Sequence, residues 1–168
     1  HSDLRRQRQM CIRDRYADQL VFADFESGTY DGWTATGTAF GETPRRVDDI
    51  AGHQGDLEAV GDGLVNTHQT RGGEDVHGAD RHTGTLTSDS FEIAKPWIHF
   101  RIGGGRHDGR TGLHLVIDDT VVRKATGHND NRMRWERFDV NEFVGRDAHF
   151  VIVDEVTGGW GNIGIDHI

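Results

Sequence analysis

The chain ends on the sequence TGGWGNIGIDHI, residues 157–168, and this stretch decides the fold. Ile163 and Ile165 alternate with polar or small residues, and this period of two is typical of a half-buried β-strand. Asp166 is therefore predicted on the face opposite the two isoleucines. Glycines on both sides of Trp160 allow a sharp turn there, so the sequence predicts a loop that presents one indole before the final strand.

The same alternation recurs upstream between glycine-rich turns. Its clearest case is Trp97–Ile102, where three apolar residues face one way and Trp97, His99 and Arg101 face the other. No stretch has the pattern of an amphipathic helix of ten residues or more. About nine or ten short strands predict an all-β fold, an antiparallel β-sandwich or barrel. The predicted strands before the last one are 20–26, 33–40, 63–67, 83–93 with a break, 97–102, 112–117, 121–125, 134–140 and 148–153.

The first residues differ from the rest of the chain in composition. Residues 1–19 are arginine-rich and contain no glycine, which predicts a disordered or non-native tail. Residues 20–168 form the predicted sandwich domain. Because the last strand runs to Ile168, we expect the sequence to be truncated at its C-terminus. Residues 41–62 and 69–81 are predicted as long polar surface loops.

Composition excludes several classes of function. The formal net charge is −9, whereas nucleic-acid binding needs concentrated Lys and Arg. No apolar run is long enough for a membrane helix, and the mean hydropathy is −0.66. The one cysteine, Cys11, allows neither an intrachain disulfide nor a cysteine zinc site. A neutral ligand such as a sugar, or a cation, suits this charge better.

Catalytic motifs are absent from the sequence. The eleven histidines are dispersed without an HExxH spacing, and no serine lies in a G-x-S-x-G elbow. The run Gly103–Arg106 lacks the residues of a phosphate-binding loop. No catalytic residue is predicted, and the fragment is not expected to be an enzyme by itself.

A cation site is one of two binding hypotheses. Asp24 and Glu26 lie at the end of the first predicted strand, and Asp166 lies on the last. The terminal strands of a sandwich often come together, and carboxylates there would form an oxygen site of the kind calcium prefers. Structural calcium is the expected ion, with solvated carboxylates as the alternative.

The second hypothesis is sugar binding. An indole held on a loop, as predicted for Trp160, can stack on the apolar face of a sugar ring. Polar side chains on nearby loops would bond the hydroxyl groups, and the candidates are Asn66, His68, Arg123 and Asp154. The alternative for Trp160 is a core-capping role. The other three tryptophans are predicted to pack in the core.

An ordered set of motifs resembles the β-sandwich module that precedes the catalytic propeller in glycoside hydrolase family 32 proteins, the levanases and related fructan hydrolases. The motifs are FADFESGTYDGW (22–33), GTAFG (37–41), GDGLVNT (61–67), TGTLTS (83–88), IHFRIGGG (98–105), VVRKATG (121–127) and GGWGNIGIDHI (158–168).

This resemblance implies an antiparallel β-sandwich, a jelly roll of the galactose-binding or concanavalin-like type. It also implies a non-catalytic carbohydrate-binding module of a secreted or periplasmic enzyme, with a catalytic domain after it. A fructan such as levan would be the ligand, a polysaccharide or oligosaccharide the partner, and neither nucleic acid nor membrane would be bound. The propeller's own motifs, WMNDPNG and RDP, are absent. The alternative is a structural domain that packs against the propeller and has no ligand of its own.

Overall fold

Two antiparallel β-sheets face each other in the computed structural model, which describes residues 19–69 and 71–168. The predicted all-β sandwich is confirmed, with eleven short strands in the described part of the chain. The predicted tail, residues 1–19, lies outside the described residues except for its last residue. The strands are β1 Trp33–Gly37, β2 Arg45–Arg46, β3 Gly63–Asn66, β4 Gly84–Ser88, β5 Phe91–Glu92, β6 Trp97–Gly104, β7 Thr111–Ile117, β8 Thr120–Ala125, β9 Asp130–Asp139, β10 Asp147–Asp154 and β11 Ile163–Asp166.

The first sheet has the strand order β1-β4-β10-β7-β8. Strand β5 pairs with the beginning of β10, beside the part of β10 that pairs with β4. The hairpin predicted between residues 117 and 121 is confirmed, because β7 and β8 pair around Asp118 and Asp119. Both aspartates have positive φ, 48° and 62°, as a two-residue turn of the primed type requires.

The second sheet has the order β2-β3-β11-β6-β9, with the closing strand at its centre. The predicted meeting of the two ends of the domain is confirmed by three backbone hydrogen bonds that Phe22 and Ala23 make with Ile168. Residues 20–26, however, do not form the strand that their alternation predicted. Phe25 has a positive φ of 59°, which interrupts an extended conformation.

The hydrophobic core lies between the sheets and follows the predicted alternation. Phe150 and Ile152 of β10 face Phe100 of β6 and the isoleucines of β11, and all are fully buried. Asp166 is on the opposite, outer face of β11, as predicted.

The predicted surface loop, residues 41–62, is mostly exposed, but its part 47–62 is packed more closely on the protein than predicted. This cover segment packs on the outer face of the second sheet and contains two short 3-10 turns, Val47–Asp49 and Gly52–Gln54. Leu57 of the segment, Leu64 of β3 and Met133 of β9 form a small second cluster of buried residues. The Leu57 carbonyl also accepts a hydrogen bond from the Met133 amide at 2.9 Å.

The loop between β3 and β4 contains more regular structure than predicted. A 3-10 turn covers Arg71–Gly73, and a single helical turn, Val76–Ala79, follows, with Asp75 as its N-cap. Within the described residues, no helix is long and apolar enough to cross a membrane.

Candidate functional site

The part of the second sheet's outer face that the cover segment leaves open carries two exposed tryptophans. Trp97 of β6 is 44% exposed and Trp135 of β9 is 49% exposed. The prediction that both pack in the core is therefore wrong, since their strands turn the opposite face inward. Only Trp33 packs against the core as predicted, in contact with Phe25.

Trp135 is held in place from its own sheet. One row across three strands contains Asp166 of β11, Arg101 of β6 and Trp135 of β9, because these residues are direct partners in the strand register. The Arg101 guanidinium carbon lies 5.3 Å from the centre of the Trp135 ring, within cation–π range. The imidazole of His167 approaches the same ring edge-on at 6.0 Å. Arg101 is only 8% exposed, whereas Trp135 is 49% exposed, so part of the indole stays open to solvent.

Trp97 lies four residues along β6 from Arg101, so the two indoles are separated by roughly 13 Å along the strands. The guanidinium of Arg137 lies over the Trp97 ring at 4.5 Å. His99, directly opposite Arg137 in the register, is exposed between the two tryptophans. The open face thus combines two indoles with side chains that donate hydrogen bonds. We call Trp97, His99, Trp135, Arg137 and His167 the tryptophan face.

Arg101 joins the tryptophan face to the cover segment. Its Nη2 donates to the Met133 carbonyl at 2.6 Å and to the Glu58 carboxylate at 3.3 Å. Asp166 accepts a hydrogen bond from the Val60 amide at 2.7 Å. The cover segment is therefore tied down beside Trp135 by one buried cation and one buried carboxylate.

Burial raises the pKa of Asp166 to about 7. The Val60 amide, the His167 amide and Arg101 favour the charged form, but desolvation outweighs them because Asp166 is completely buried, and the nearby Glu26 adds to the shift.

The structure does not bring the predicted sugar contacts together. Asn66 is buried, its amide donating to Gln54 at 2.9 Å, and His68 is buried between Asp80 and His53. Neither side chain is exposed enough to bond the hydroxyl groups of a sugar. Arg123 is partly exposed, but it stacks on the Phe143 ring and forms an ion pair with Glu142.

Asp154 is completely buried at the end of β10, and among the described residues no donor is in hydrogen-bond geometry with either carboxylate oxygen. Desolvation raises its pKa to about 7, and the nearby Asp80 adds to the shift. The Thr67 hydroxyl, the Val156 amide and the charge of Arg71 lie near enough to favour the ionised form, but they do not compensate for burial. Asp154 is therefore not available to a sugar.

Trp160 is 38% exposed on the loop between β10 and β11, so the predicted exposed indole is present. Its backbone adopts a positive φ of 58°. The loop is fixed by two hydrogen bonds: Gly161 N–H donates to the Gly158 carbonyl at 2.8 Å, and the His107 imidazole contacts the Gly159 carbonyl at 3.1 Å.

The three residues of the predicted calcium site are engaged separately. Glu26 accepts hydrogen bonds from the backbone amides of Asp62 and Gly63, at 2.8 to 3.1 Å. Asp24 accepts from the Glu26 amide at 3.1 Å, and Asp166 binds the cover segment. Among the described residues, no group of three or more His, Cys, Asp or Glu side chains is arranged to hold a metal ion. The geometry thus does not support calcium at these three residues.

The tryptophan face was the site that sequence reasoning missed, although the signal was present. The alternation of β6 puts Trp97, His99 and Arg101 together on the face opposite the core. Tryptophan on such a face is exposed unless another layer covers it. The cover segment reaches Arg101 and Met133 but leaves the indoles open.

Comparison with known proteins finds one curated relative. No protein-family model matches the chain. The chain is 32% identical over 154 residues to ecdE of Aspergillus rugulosus, which is named "Putative glycosyl hydrolase ecdE". The match covers 90% of this chain and 21% of ecdE, so the chain spans about a fifth of the length of that relative.

Two solved adhesin domains share the fold at low sequence identity. The K2 cleaved adhesin domain of Lys-gingipain superposes with a TM-score of 0.52 at 15% identity, covering 90% of this chain and 96% of that domain. The K1 domain of the same protein, from Porphyromonas gingivalis W83, gives 0.51 at 12% identity, with coverage of 88% and 94%. TmCBM61, solved with β-1,4-galactotriose, gives 0.47 at 16% identity, with coverage of 86% and 90%.

Proposed function

We propose that the chain is a non-catalytic carbohydrate-binding module, and that the tryptophan face binds the glycan. The observation that carries this proposal is the pair of indoles, 44% and 49% exposed, on one open sheet face. Large aromatic side chains are seldom left exposed together without a partner. Their arrangement on regular strands makes a firm binding surface.

A sugar ring would stack on the open side of Trp135, whose position is fixed by Arg101. Pyranose and furanose rings have one apolar face, which an indole can cover, and hydroxyl groups around the rim. His99 and Arg137 are exposed beside the indoles and would bond those hydroxyls. Trp97, roughly 13 Å away along the strands, would hold a later ring of the same chain.

The glycoside-hydrolase name of ecdE supports a carbohydrate-related role, and the resemblance to family 32 modules suggests a fructan. Such a module would raise the local concentration of polysaccharide at an attached active site. An extracellular polysaccharide would place the protein outside the cytoplasm. Trp160 remains a separate candidate contact on the loop.

A second function would use the same face differently. Because the chain spans about a fifth of ecdE, the tryptophan face would pack against another domain of a longer protein. Sedimentation of the chain with and without Trp97→Ala and Trp135→Ala would reveal this, since an uncovered domain interface promotes self-association that the two substitutions remove.

Calorimetric titration with levan, inulin and unrelated glycans tests the proposed function. We expect one glycan class to bind, and Trp135→Ala to weaken its affinity about tenfold or more, because the stacking platform is lost. Trp97→Ala should have a smaller effect. Val121→Ala, which removes an exposed apolar side chain elsewhere, is the control and should leave affinity unchanged. Binding by no glycan at millimolar concentration, or unchanged binding by Trp135→Ala, would refute the proposal.

A further inference from the structure

Away from the tryptophan face, two histidines from different segments point their Nε2 atoms at each other. His53 lies in the 3-10 turn of the cover segment, and His68 follows β3. The two Nε2 atoms are 2.8 Å apart and the ring planes are inclined by 78°. His68 Nδ1 contacts the carboxylate of Asp80 at 2.6 Å.

The contacts around His68 fix its tautomer. An ionised carboxylate only accepts hydrogen bonds, so His68 donates from Nδ1 to Asp80 and leaves a lone pair on Nε2. His53 then has to donate its Nε2 proton to that lone pair. Because the outer ring nitrogen of a metal-binding histidine almost always donates to a carboxylate or carbonyl, Asp80 and His68 have the geometry of such a pair.

The backbone around both histidines is rigidly held. Gln54, next to His53, is buried and donates to the His68 carbonyl at 3.0 Å, while its own amide oxygen accepts from Asn66 at 2.9 Å. The His68 amide in turn donates to the Asn66 side chain at 2.9 Å. The segments that carry His53 and His68, fifteen residues apart in sequence, are thus held next to each other before any ligand binds. His53 itself is exposed, so the pair is accessible from solvent.

We propose that His53 and His68 bind a divalent transition-metal ion such as Zn²⁺ or Ni²⁺ through their Nε2 atoms, with Asp80 orienting His68. Imidazole nitrogen suits these ions. Zinc–nitrogen bonds of about 2.0–2.1 Å at a tetrahedral angle would separate the two nitrogens by about 3.4 Å. The exposed His53 ring would move out by roughly half an ångström, and its proton would shift to Nδ1. Since no third His, Cys, Asp or Glu joins the pair within the described residues, water completes the coordination.

The ion would clamp the cover segment to the loop that follows β3. A clamp of this kind stabilises the folded state, because the unfolded chain does not bring His53 and His68 together. The chain has one cysteine and so cannot use an intrachain disulfide for this purpose.

Thermal unfolding with and without ZnCl₂ or NiCl₂ tests the clamp. At a hundredfold excess of free metal over Kd, Tm should rise by roughly 5–10 °C for a domain of this size. His53→Ala should abolish most of this shift, and it is the preferred variant because His53 is exposed and its loss disturbs packing little. His77→Ala, which removes an exposed histidine of the neighbouring helical turn, is the matched control and should keep the full shift.

The Asp80→Asn variant tests whether Asp80 orients His68 as a metal ligand. It should weaken metal affinity about 10- to 100-fold while His53 and His68 are both present. An unchanged Tm of the intact chain in metal, or an equal rise in His53→Ala and the intact chain, would overturn the proposal. In either outcome the two histidines form only a hydrogen bond. Glycan titration in metal-free buffer reports on the tryptophan face independently.

Discussion

Trp135 and Trp160 are both exposed indoles, at 49% and 38%, but they are supported in different ways. Trp135 belongs to a strand, and the register places Arg101 beneath it and Asp166 next in the row. Trp160 belongs to a loop and adopts positive φ, in contact with the backbone of Gly105. A strand fixes the direction of a side chain through many backbone hydrogen bonds, whereas the loop depends on a few glycine contacts.

The two regions share one feature, a buried carboxylate with a raised pKa. Asp166 has a hydrogen bond from Val60 and the opposing charge of Arg101. Asp154 ends β10 just before the Trp160 loop, and within the described part of the chain no donor is in hydrogen-bond geometry with its carboxylate. The two carboxylates therefore differ in role. Asp166 holds the cover segment through Val60, whereas Asp154 is buried at the end of its strand.

The largest expected effect concerns Asp154. Its folded-state pKa, about 7, lies above its ordinary value of 3.8, so the folded protein holds a proton that the unfolded chain releases. The contribution of this proton to the free energy of unfolding is fully present below about pH 4 and is lost as the pH rises to about 7. Asp154→Asn should remove that loss and raise the free energy of unfolding at pH 8 by as much as about 4 kcal/mol. Urea unfolding at pH 4 and pH 8 measures the difference.

Asp166→Asn is the matched comparison. Its pKa shift has the same sign, but the substitution removes one of the two carboxylates near Arg101 and leaves only Glu58, so the gain at pH 8 should be smaller than for Asp154→Asn. Destabilisation of Asp154→Asn at pH 8 would show instead that the ionised carboxylate has a partner in the folded protein.

Gly161→Ala tests how the Trp160 loop is held. A Cβ at this position would meet the Val156 carbonyl oxygen at 2.2 Å, so we expect a cost of about 1–3 kcal/mol. Gly158→Ala meets nothing within 4 Å and should stay within about 0.5 kcal/mol of the parent protein. Equal urea midpoints for the two variants would mean that the loop is loosely packed.

Arg101→Lys tests the support of Trp135 and has the smallest expected effect. Lysine keeps the charge but not the planar group that stacks on the ring and donates to the Met133 carbonyl. Glycan affinity should fall about threefold, in line with a cation–π contribution of roughly 0.5–1 kcal/mol. Calorimetry measures it, with Arg132→Lys, whose side chain is exposed, as the control. An unchanged affinity would mean that Trp135 keeps its orientation without Arg101.

The sequence predicted the sandwich and the inward face of each long strand, because alternation is a local property of the chain. It also predicted the closing strand and the outward direction of Asp166. It could not show which outward residues are covered, since this depends on where residues 47–62 pack. Trp97 and Trp135 were predicted to pack in the core because they lie within strands.

The candidate site was harder to predict than the fold for the same reason. His68 and Asp154 were read as loop residues, yet contacts with Asp80, Gln54 and the opposite sheet bury them. A polar residue at the end of a strand gives no local indication of whether another segment folds over it.

The indole Nε1–H resonances of the four tryptophans, followed by NMR during titration with the glycan that binds, test the tryptophan face most directly. The account predicts that the Trp135 signal shifts most, that Trp97 shifts less, and that the core-packed Trp33 does not move. A shift of Trp160 while Trp135 stays unchanged would contradict it and place the glycan on the loop.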